Sequence, residues 1–353
     1  MAEVAGSAKG STATAKGTVT GTTWTVYDAN VMTQAEIYGR VMVELGERDP
    51  RIVGLTADLA KSTKIGVFQE RFPERFINVG IAEQNLFGVA AGMAKSGMLP
   101  FVSTMAAFAS MRAAEQVRTD ICYQKLDVKI IATHGGVAFG QAGTTHHCTE
   151  DIAIMRAFAN MTVIVPADGF ETANAVRACV ERSGPVYIRL GRGFEPLHYA
   201  SEDYGFEIGK AVRIAEGTDL TIVCCGIAVY HASEAAKLLK ERDGISVRVL
   251  NMHTIKPLDE EAILTAVAET GGILVVEEHN VIGGLGSAVA DVIAQSGKGC
   301  AFAKLGLPDC YSEVGYPEDL YCHYKIDADG IVDKVRLLLG RVYEADEDWE
   351  DEV

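Results

Sequence analysis

Several short runs in the chain are apolar at almost every position, among them "DVKIIATHGG", "MTVIVPAD" and "DLTIVCCG". A strand with one wet face alternates apolar with polar residues, so a run without alternation needs cover on both faces, as in a parallel sheet between helical layers. Helical patterns fall between these runs. "TQAEIYGRVMVELGERDP" has apolar residues at helical spacing and stops at Pro50, and "RIVGLTAD", "INVGIAEQ" and "LPFVSTM" read as strands. A small-residue helix follows "INVGIAEQ", and "AFASMRAAEQVRTDICYQ" reads as one helix after "LPFVSTM". The alternation closes near "PVYIRLGRGFEP", and a polar stretch, "LHYASEDYGFEIGKAVR", precedes a second set of strand and helix patterns.

The expected architecture is therefore α/β, with two layered domains. A first domain with a mostly parallel sheet spans residues 25–196, a linker 197–212, and a smaller α/β domain 213–342. Residues 1–24, rich in Thr, Ser, Gly and Ala without an apolar signal core, are expected to be a disordered extension, and 343–353 an acidic solvated tail.

Composition excludes some functions. The formal net charge is −16 over 353 residues, without the clustered Lys and Arg that hold a phosphate backbone, so no nucleic-acid partner is expected. No stretch has the roughly 20 apolar residues of a membrane span. The eight cysteines are scattered, with no CxxC and one adjacent pair, Cys224 and Cys225, inside an apolar run. That usage fits buried thiols in a reducing, cytoplasmic setting better than a disulfide framework or a zinc site.

Three stretches can carry chemistry. The glycines of "HNVIGGLGSAVADVIAQ" suggest an anion loop, but a dinucleotide fingerprint and a GxxxxGK[ST] are both missing, and a tight strand-to-helix turn explains them. "ATHGGVAFGQAGTTHHCTED" places His134, His146 and His147 in one long connection after a strand, where open α/β sheets tend to bind ligands. Three readings apply to it: a zinc site, for which spacing alone supplies no geometry; a plain surface loop; and a polar pocket that hydrogen-bonds a hydroxylated substrate and shuttles protons, which is favoured. In "RFINVGIAEQNLFGVAAGMA", Glu83 stands where a small-residue helix begins, a place that helix electrostatics alone would favour for an acid.

Taken together, "INVGIAEQNLFGVAAGMA", "PFVSTMAAFASMRAAEQVR" and "THGGVAFGQAGTTHHCTEDIAIMRAFANMTVIVPAD" resemble the pyrimidine-binding domain of the transketolase family of thiamine-diphosphate enzymes. The downstream half is similar to the transketolase C-terminal domain, and the likeness spans about residues 25–340. Full-length members carry an upstream GDG…N motif for magnesium and the diphosphate, which this sequence lacks. The resemblance thus implies the C-terminal subunit of a split transketolase. It would transfer a two-carbon ketol unit from a ketose or ketose phosphate to an aldose through a thiamine-diphosphate enamine. The diphosphate and its Mg2+ or Ca2+ would lie on an N-terminal partner subunit, with two copies of each chain in a heterotetramer.

The resemblance also implies roles for individual residues. Glu83 would hydrogen-bond the ring nitrogen of the cofactor's aminopyrimidine, Phe108 would stack on that ring, and Met105 stands in the same pocket where the family has Phe. Asp58 would lie near the cofactor, and His134 and His146 would contact donor hydroxyls and the reacting carbonyl. Ser62 and Arg192 would face the substrate phosphate, as would Gln34, which replaces a family arginine; Ala142 replaces an acid that reads a sugar hydroxyl. Lys61 and Lys64 could compensate for the missing phosphate contacts, although surface solvation is favoured for them. Gly88, Ala90, Ala91, Gly92 and Ala94 would permit close approach at a subunit interface, although tight packing inside the domain accounts for them nearly as well. Alternatives are a transketolase-like enzyme of a specialised sugar pathway, a 2-oxo acid dehydrogenase β subunit, and a non-catalytic interaction subunit.

Overall fold

The computed structural model describes residues 32–193 and 195–340. The expectations for residues 1–24 and for the acidic tail lie outside the described residues.

Helix α1 (Gln34–Arg48) opens the first domain with a capping box: Glu36 N–H donates to Thr33 Oγ1, and Glu36 Oε2 accepts from Thr33 N–H. The chain continues through β1 (Ile52–Thr56), α2 (Gly66–Arg71), β2 (Phe76–Asn78), α3 (Glu83–Lys95), β3 (Leu99–Met105) and β4 (Lys129–Thr133). It then passes α4 (Asp151–Ala157), β5 (Thr162–Ile164), α5 (Gly169–Glu181) and β6 (Val186–Arg189). Strands β1, β3, β4, β5 and β6 are buried at every position, as their mostly apolar pattern requires, with polar exceptions such as Ser103, Lys129 and Arg189 satisfied by hydrogen bonds. The segment 107–124 departs from the single α-helix its pattern predicts. It winds as two π-helical turns, Phe108–Arg112 and Gln116–Cys122, with a break at Ala113. Widened turns of this kind re-aim the side chains they carry.

The second domain comprises β7 (Val212–Ala215), β8 (Leu220–Cys224), α6 (Ala228–Asp243), β9 (Val247–Asn251), β10 (Thr254–Lys256), α7 (Glu260–Glu269), β11 (Gly272–Asn280), α8 (Leu285–Ser296), β12 (Ala301–Leu307), α9 (Pro317–His323) and α10 (Ala328–Leu338). Its five-stranded sheet has the order β12-β11-β8-β9-β7, parallel except for β7. The first sheet has seven strands in the order β10-β5-β6-β4-β3-β1-β2, and its antiparallel edge, β10, comes from the second half of the chain. The run "ISVRVLNMHTIKPLD" is thus divided: β9 stays in the second sheet and β10 crosses to the first.

One apolar cluster is continuous across the halves, from Val53, Leu86 and Ile130 to Val223, Ile273 and Val289. The connection before β7 is tied down by polar contacts. The Tyr199 and Tyr204 hydroxyls both donate to Glu171, which also accepts from Asn251. Two domains sharing a sheet edge and a core hold the loops at the strand ends in fixed relation, and the candidate site lies on those loops.

Candidate active site

The candidate residues lie at the C-terminal ends of strands, at helix starts, or, for Ser62 and His146, on the loops that follow β1 and β4. Asp58 follows β1 in a left-handed conformation, φ 61°; its N–H donates to Asn78 Oδ1 at 2.9 Å and its carboxylate accepts from Asn78 Nδ2 at 3.3 Å. Asn78 Oδ1 also accepts from Gly80 N–H, so this group closes the turn that leads into α3. Glu83, the first residue of α3, is 3% exposed.

Phe108 and Met105 come from the end of β3 and the turn after it. The Arg112 guanidinium, one turn beyond Phe108, donates from Nη1 to Glu83 Oε1 at 2.8 Å and lies 4.0 Å from the centre of the Phe108 ring. Sequence reasoning missed Arg112; its signal was the four-residue interval from Phe108, which in a helix surface pattern reads equally well as a solvated charge.

His134 follows β4 at φ 62° and is buried, with Nδ1 2.8 Å from Thr133 Oγ1. Burial pushes its imidazole down to about 4, and nearby Arg192 and His146 act in the same direction. It is therefore a neutral hydrogen-bonding group at ordinary pH. The His146 ring meets Phe108 edge-on at 5.7 Å and Phe139 at 5.5 Å, and Phe139 also meets His134 at 5.1 Å. Phe139, a second missed residue, thus separates and props both histidines. Its signal was an aromatic inside the glycine-rich histidine loop. His147 points elsewhere: buried, it bonds the Gly140 carbonyl through Nε2 at 3.0 Å and stiffens the loop.

Beside His134 lies a cavity of about 380 Å³ lined by Met105, His134, Phe139, Ser62, Lys61, Lys64 and Arg192, among others. Arg192 packs over the Phe139 ring at 4.3 Å, and Lys64 Nζ pairs with Glu36 Oε1 at 3.0 Å. Both lysines, for which solvation was favoured over compensation, face this cavity, and with Arg192 they give it a cationic wall.

Gln34 lies apart from the other residues expected at the substrate phosphate. It is 3% exposed and does not line this cavity; its Oε1 accepts from Gly191 N–H at 2.8 Å and its Nε2 donates to the Pro166 carbonyl at 3.1 Å. Those bonds turn the amide inward, so Gln34 braces the Gly191–Arg192 segment. Ala142 ends the short 3-10 turn Gly140–Ala142 inside the histidine loop. The small residues of α3 divide into two groups. Ala90 and Ala91 pack in the core, whereas a Cβ at Gly88 or Gly92 would meet nothing within 4 Å.

Residues 30–194 match the family model "Transketolase, pyrimidine binding domain", and 209–331 match "Transketolase, C-terminal domain". The chain belongs to the transketolase family. It is 40% identical over 302 residues to an apulose-4-phosphate transketolase subunit of Phocaeicola vulgatus, covering 86% of this chain and 96% of that one. It is also 40% identical over 299 residues to a 6-deoxy-6-sulfo-D-fructose transketolase subunit of Clostridium sp. (strain MSTE9), covering 84% of this chain and 91% of the relative. A solved structure described as a split-gene transketolase, inactive beta4 tetramer, superposes with a TM-score of 0.79 at 46% identity, covering 88% of this chain and 98% of that one. The chain thus corresponds, over nearly the whole length of these transketolase relatives, to a separate C-terminal subunit of a thiamine-diphosphate-dependent transferase. The dehydrogenase and non-catalytic alternatives are not favoured by these likenesses.

The residues present suit the pyrimidine end of thiamine diphosphate. Glu83 offers a buried carboxylate acceptor and Phe108 an aromatic face, and one planar, cationic hydrogen-bond donor, the Arg112 guanidinium, already engages both. An aminopyrimidine makes the same two contacts when one proton is shared between the carboxyl group and its ring nitrogen.

Proposed function

We propose that this chain supplies the pyrimidine-binding half of a two-chain transketolase, which moves a two-carbon ketol unit from a ketose donor to an aldose acceptor. The observation that carries the reading is the arrangement of Glu83 and Phe108 around one guanidinium, with His146 in ring contact with Phe108 and His134 opening onto a cation-walled cavity. Glu83 holds a proton at the pyrimidine ring nitrogen, Phe108 stacks on that ring, and Met105 packs nearby. Thiamine diphosphate, held at its pyrimidine by Glu83 and Phe108, would supply the nucleophilic carbon and the cationic ring that serves as electron sink for cleavage of the donor's carbon–carbon bond. His134 and His146 hydrogen-bond the carbonyl oxygen and hydroxyls of the donor, work suited to neutral imidazole. Arg192, Ser62 and Lys61 receive an anionic group at the far end of the sugar, in keeping with the phosphate named for one relative. Asp58 holds the turn that delivers Glu83.

The metal-bound diphosphate end is assigned to an N-terminal partner chain, with two copies of each chain in the assembly. The open face of α3 that carries Gly88 and Gly92, beside the 80% exposed Ile81, is the surface offered to that partner.

The test combines the chain with its N-terminal partner, thiamine diphosphate and Mg2+, and follows ketol transfer from a ketose phosphate to an aldose. Glu83→Gln should lower kcat by roughly 10²-fold or more, and the chain alone should give no transfer. An unaffected rate in the Glu83→Gln enzyme would overturn the proposal.

A further inference from the structure

Arg112 ends the π-helical turn Phe108–Arg112, and its side chain is 48% exposed whereas that of Glu83 is 3% exposed. Its backbone carbonyl accepts from Gln84 Nε2 at 3.3 Å, which fixes the root of the side chain and leaves the guanidinium to move by rotation about its own bonds. The guanidinium makes two contacts here, a hydrogen bond to Glu83 Oε1 at 2.8 Å and a face contact with the Phe108 ring at 4.0 Å. These are the two groups assigned above to the aminopyrimidine. A guanidinium is itself planar, cationic and a donor, and it stacks on aromatic faces.

We infer that Arg112 is a built-in stand-in for the aminopyrimidine: its guanidinium occupies Glu83 and Phe108 until the ring displaces it toward solvent. The inference rests on the site reading given under Proposed function. Its physical motive is plain, because a carboxylate buried to this degree is costly without a partner, and Arg112 provides one before the ring arrives. The exposed side of the arginine keeps the cost of its departure low, since the charge moves into water instead of through the protein. Arg112 is thus a gating residue that sets how tightly this half-site takes a pyrimidine, and it opposes ring binding by holding the same two groups.

The test uses thiamine, which carries the pyrimidine without the diphosphate, titrated calorimetrically into the isolated full-length chain. Arg112→Ala should bind thiamine roughly tenfold tighter than the wild type, and Arg112→Lys, which keeps the charge but loses the planar fork, should fall between. Wild-type affinity should rise between about 0.05 and 0.5 M NaCl as the ion pair is screened, with the rise lost in Arg112→Ala. The salt series in the wild type needs no variant to fold. Equal or weaker binding by Arg112→Ala, or a wild-type affinity that does not rise with salt, overturns the role of Arg112. Phe108→Ala separates this from failure of the site itself. Thiamine binding that survives Phe108→Ala unchanged overturns the site reading and the inference with it, whereas binding lost in Phe108→Ala and not strengthened in Arg112→Ala overturns the inference alone.

Discussion

Glu278, near the end of β11 in the second domain, accepts a hydrogen bond through Oε1 from the backbone N–H of Val137, three residues after His134, at 2.9 Å. The same oxygen accepts from the Tyr321 hydroxyl at 3.1 Å, and the Glu278 carbonyl accepts from Arg189 Nη2 at 2.8 Å. Arg189 in turn donates to Asp151 Oδ2 at 3.0 Å. The histidine loop is therefore held from below by a buried ionic network that joins both domains. Gly136 and Cys148 close its base with two reciprocal backbone hydrogen bonds of 2.8 Å. The second domain acts on the site through this network, without contributing a lining residue to the cavity beside His134.

Gly136 is the tightest point of that support. It sits at φ 60°, and a Cβ there would fall 2.3 Å from the Glu278 carboxyl carbon. Gly136→Ala should destabilise the chain by about 2 kcal/mol or more, because the left-handed backbone and the clash add. It should also displace His134 and reduce ketol transfer. Urea unfolding of the isolated chain, alongside transfer assays of the two-chain enzyme, checks both; a variant of wild-type stability would mean the loop is not anchored here.

Stability should depend on pH through Glu278. Burial pushes its carboxyl up to about 7, while neighbouring Arg189 pulls the other way and Asp151 adds to the rise. An acid whose pKa is higher folded than unfolded, where it is about 4.3, takes up a proton on folding between the two values. The stability it contributes is therefore complete below about pH 4 and is lost as pH rises through about 7. Glu278→Gln keeps an acceptor for Val137 and Tyr321 but cannot ionise. Unfolding measured between pH 5 and 8 should show the variant's stability falling less steeply than the wild type's, by roughly 3 kcal/mol at most across the window. Parallel curves would remove Glu278 as the source.

Most of the layer order was legible in the sequence, because runs such as Lys129–Thr133 and Leu220–Cys224 can be satisfied only between two covering layers. The transfer of Thr254–Lys256 to the other sheet was not legible, since three residues carry no mark of which edge they will join. The π-helical winding of 108–122 was hidden for a similar reason: apolar periodicity does not register one extra residue per turn. Within the site, His134, His146 and Phe108 were singled out by motif and family resemblance, and the structure brings the three into one aromatic cluster with Phe139. Arg112 and the bracing role of Gln34 needed coordinates. Each depends on a partner far along the chain, Glu83 for the first and Pro166 and Gly191 for the second.

His134 should act as a hydrogen-bonding group and not as a titrating one above pH 5, because burial holds its imidazole down at about 4. His134→Asn in the two-chain enzyme should lower kcat/KM by roughly 10²-fold while leaving the shape of the pH profile between pH 5 and 7 unchanged. A profile that changes shape in that window in the variant would show that the imidazole titrates there and that the donor meets a charged ring.

Gln34 separates bracing from substrate binding. Gln34→Ala leaves the Gly191 N–H and the Pro166 carbonyl without their side-chain partner in a buried setting, which should cost about 1–3 kcal/mol in urea unfolding. Gln34→Arg, the residue the family resemblance leads one to expect, has no acceptor for Gly191 N–H and should be destabilised as well. The Gly191 carbonyl accepts from His134 N–H at 3.2 Å, so slackening this strand end loosens His134 and Arg192 together. The KM for phosphorylated and unphosphorylated donors should then rise by similar factors in Gln34→Ala. A selective loss of the phosphorylated donor at unchanged stability would instead return Gln34 to the substrate's anionic end.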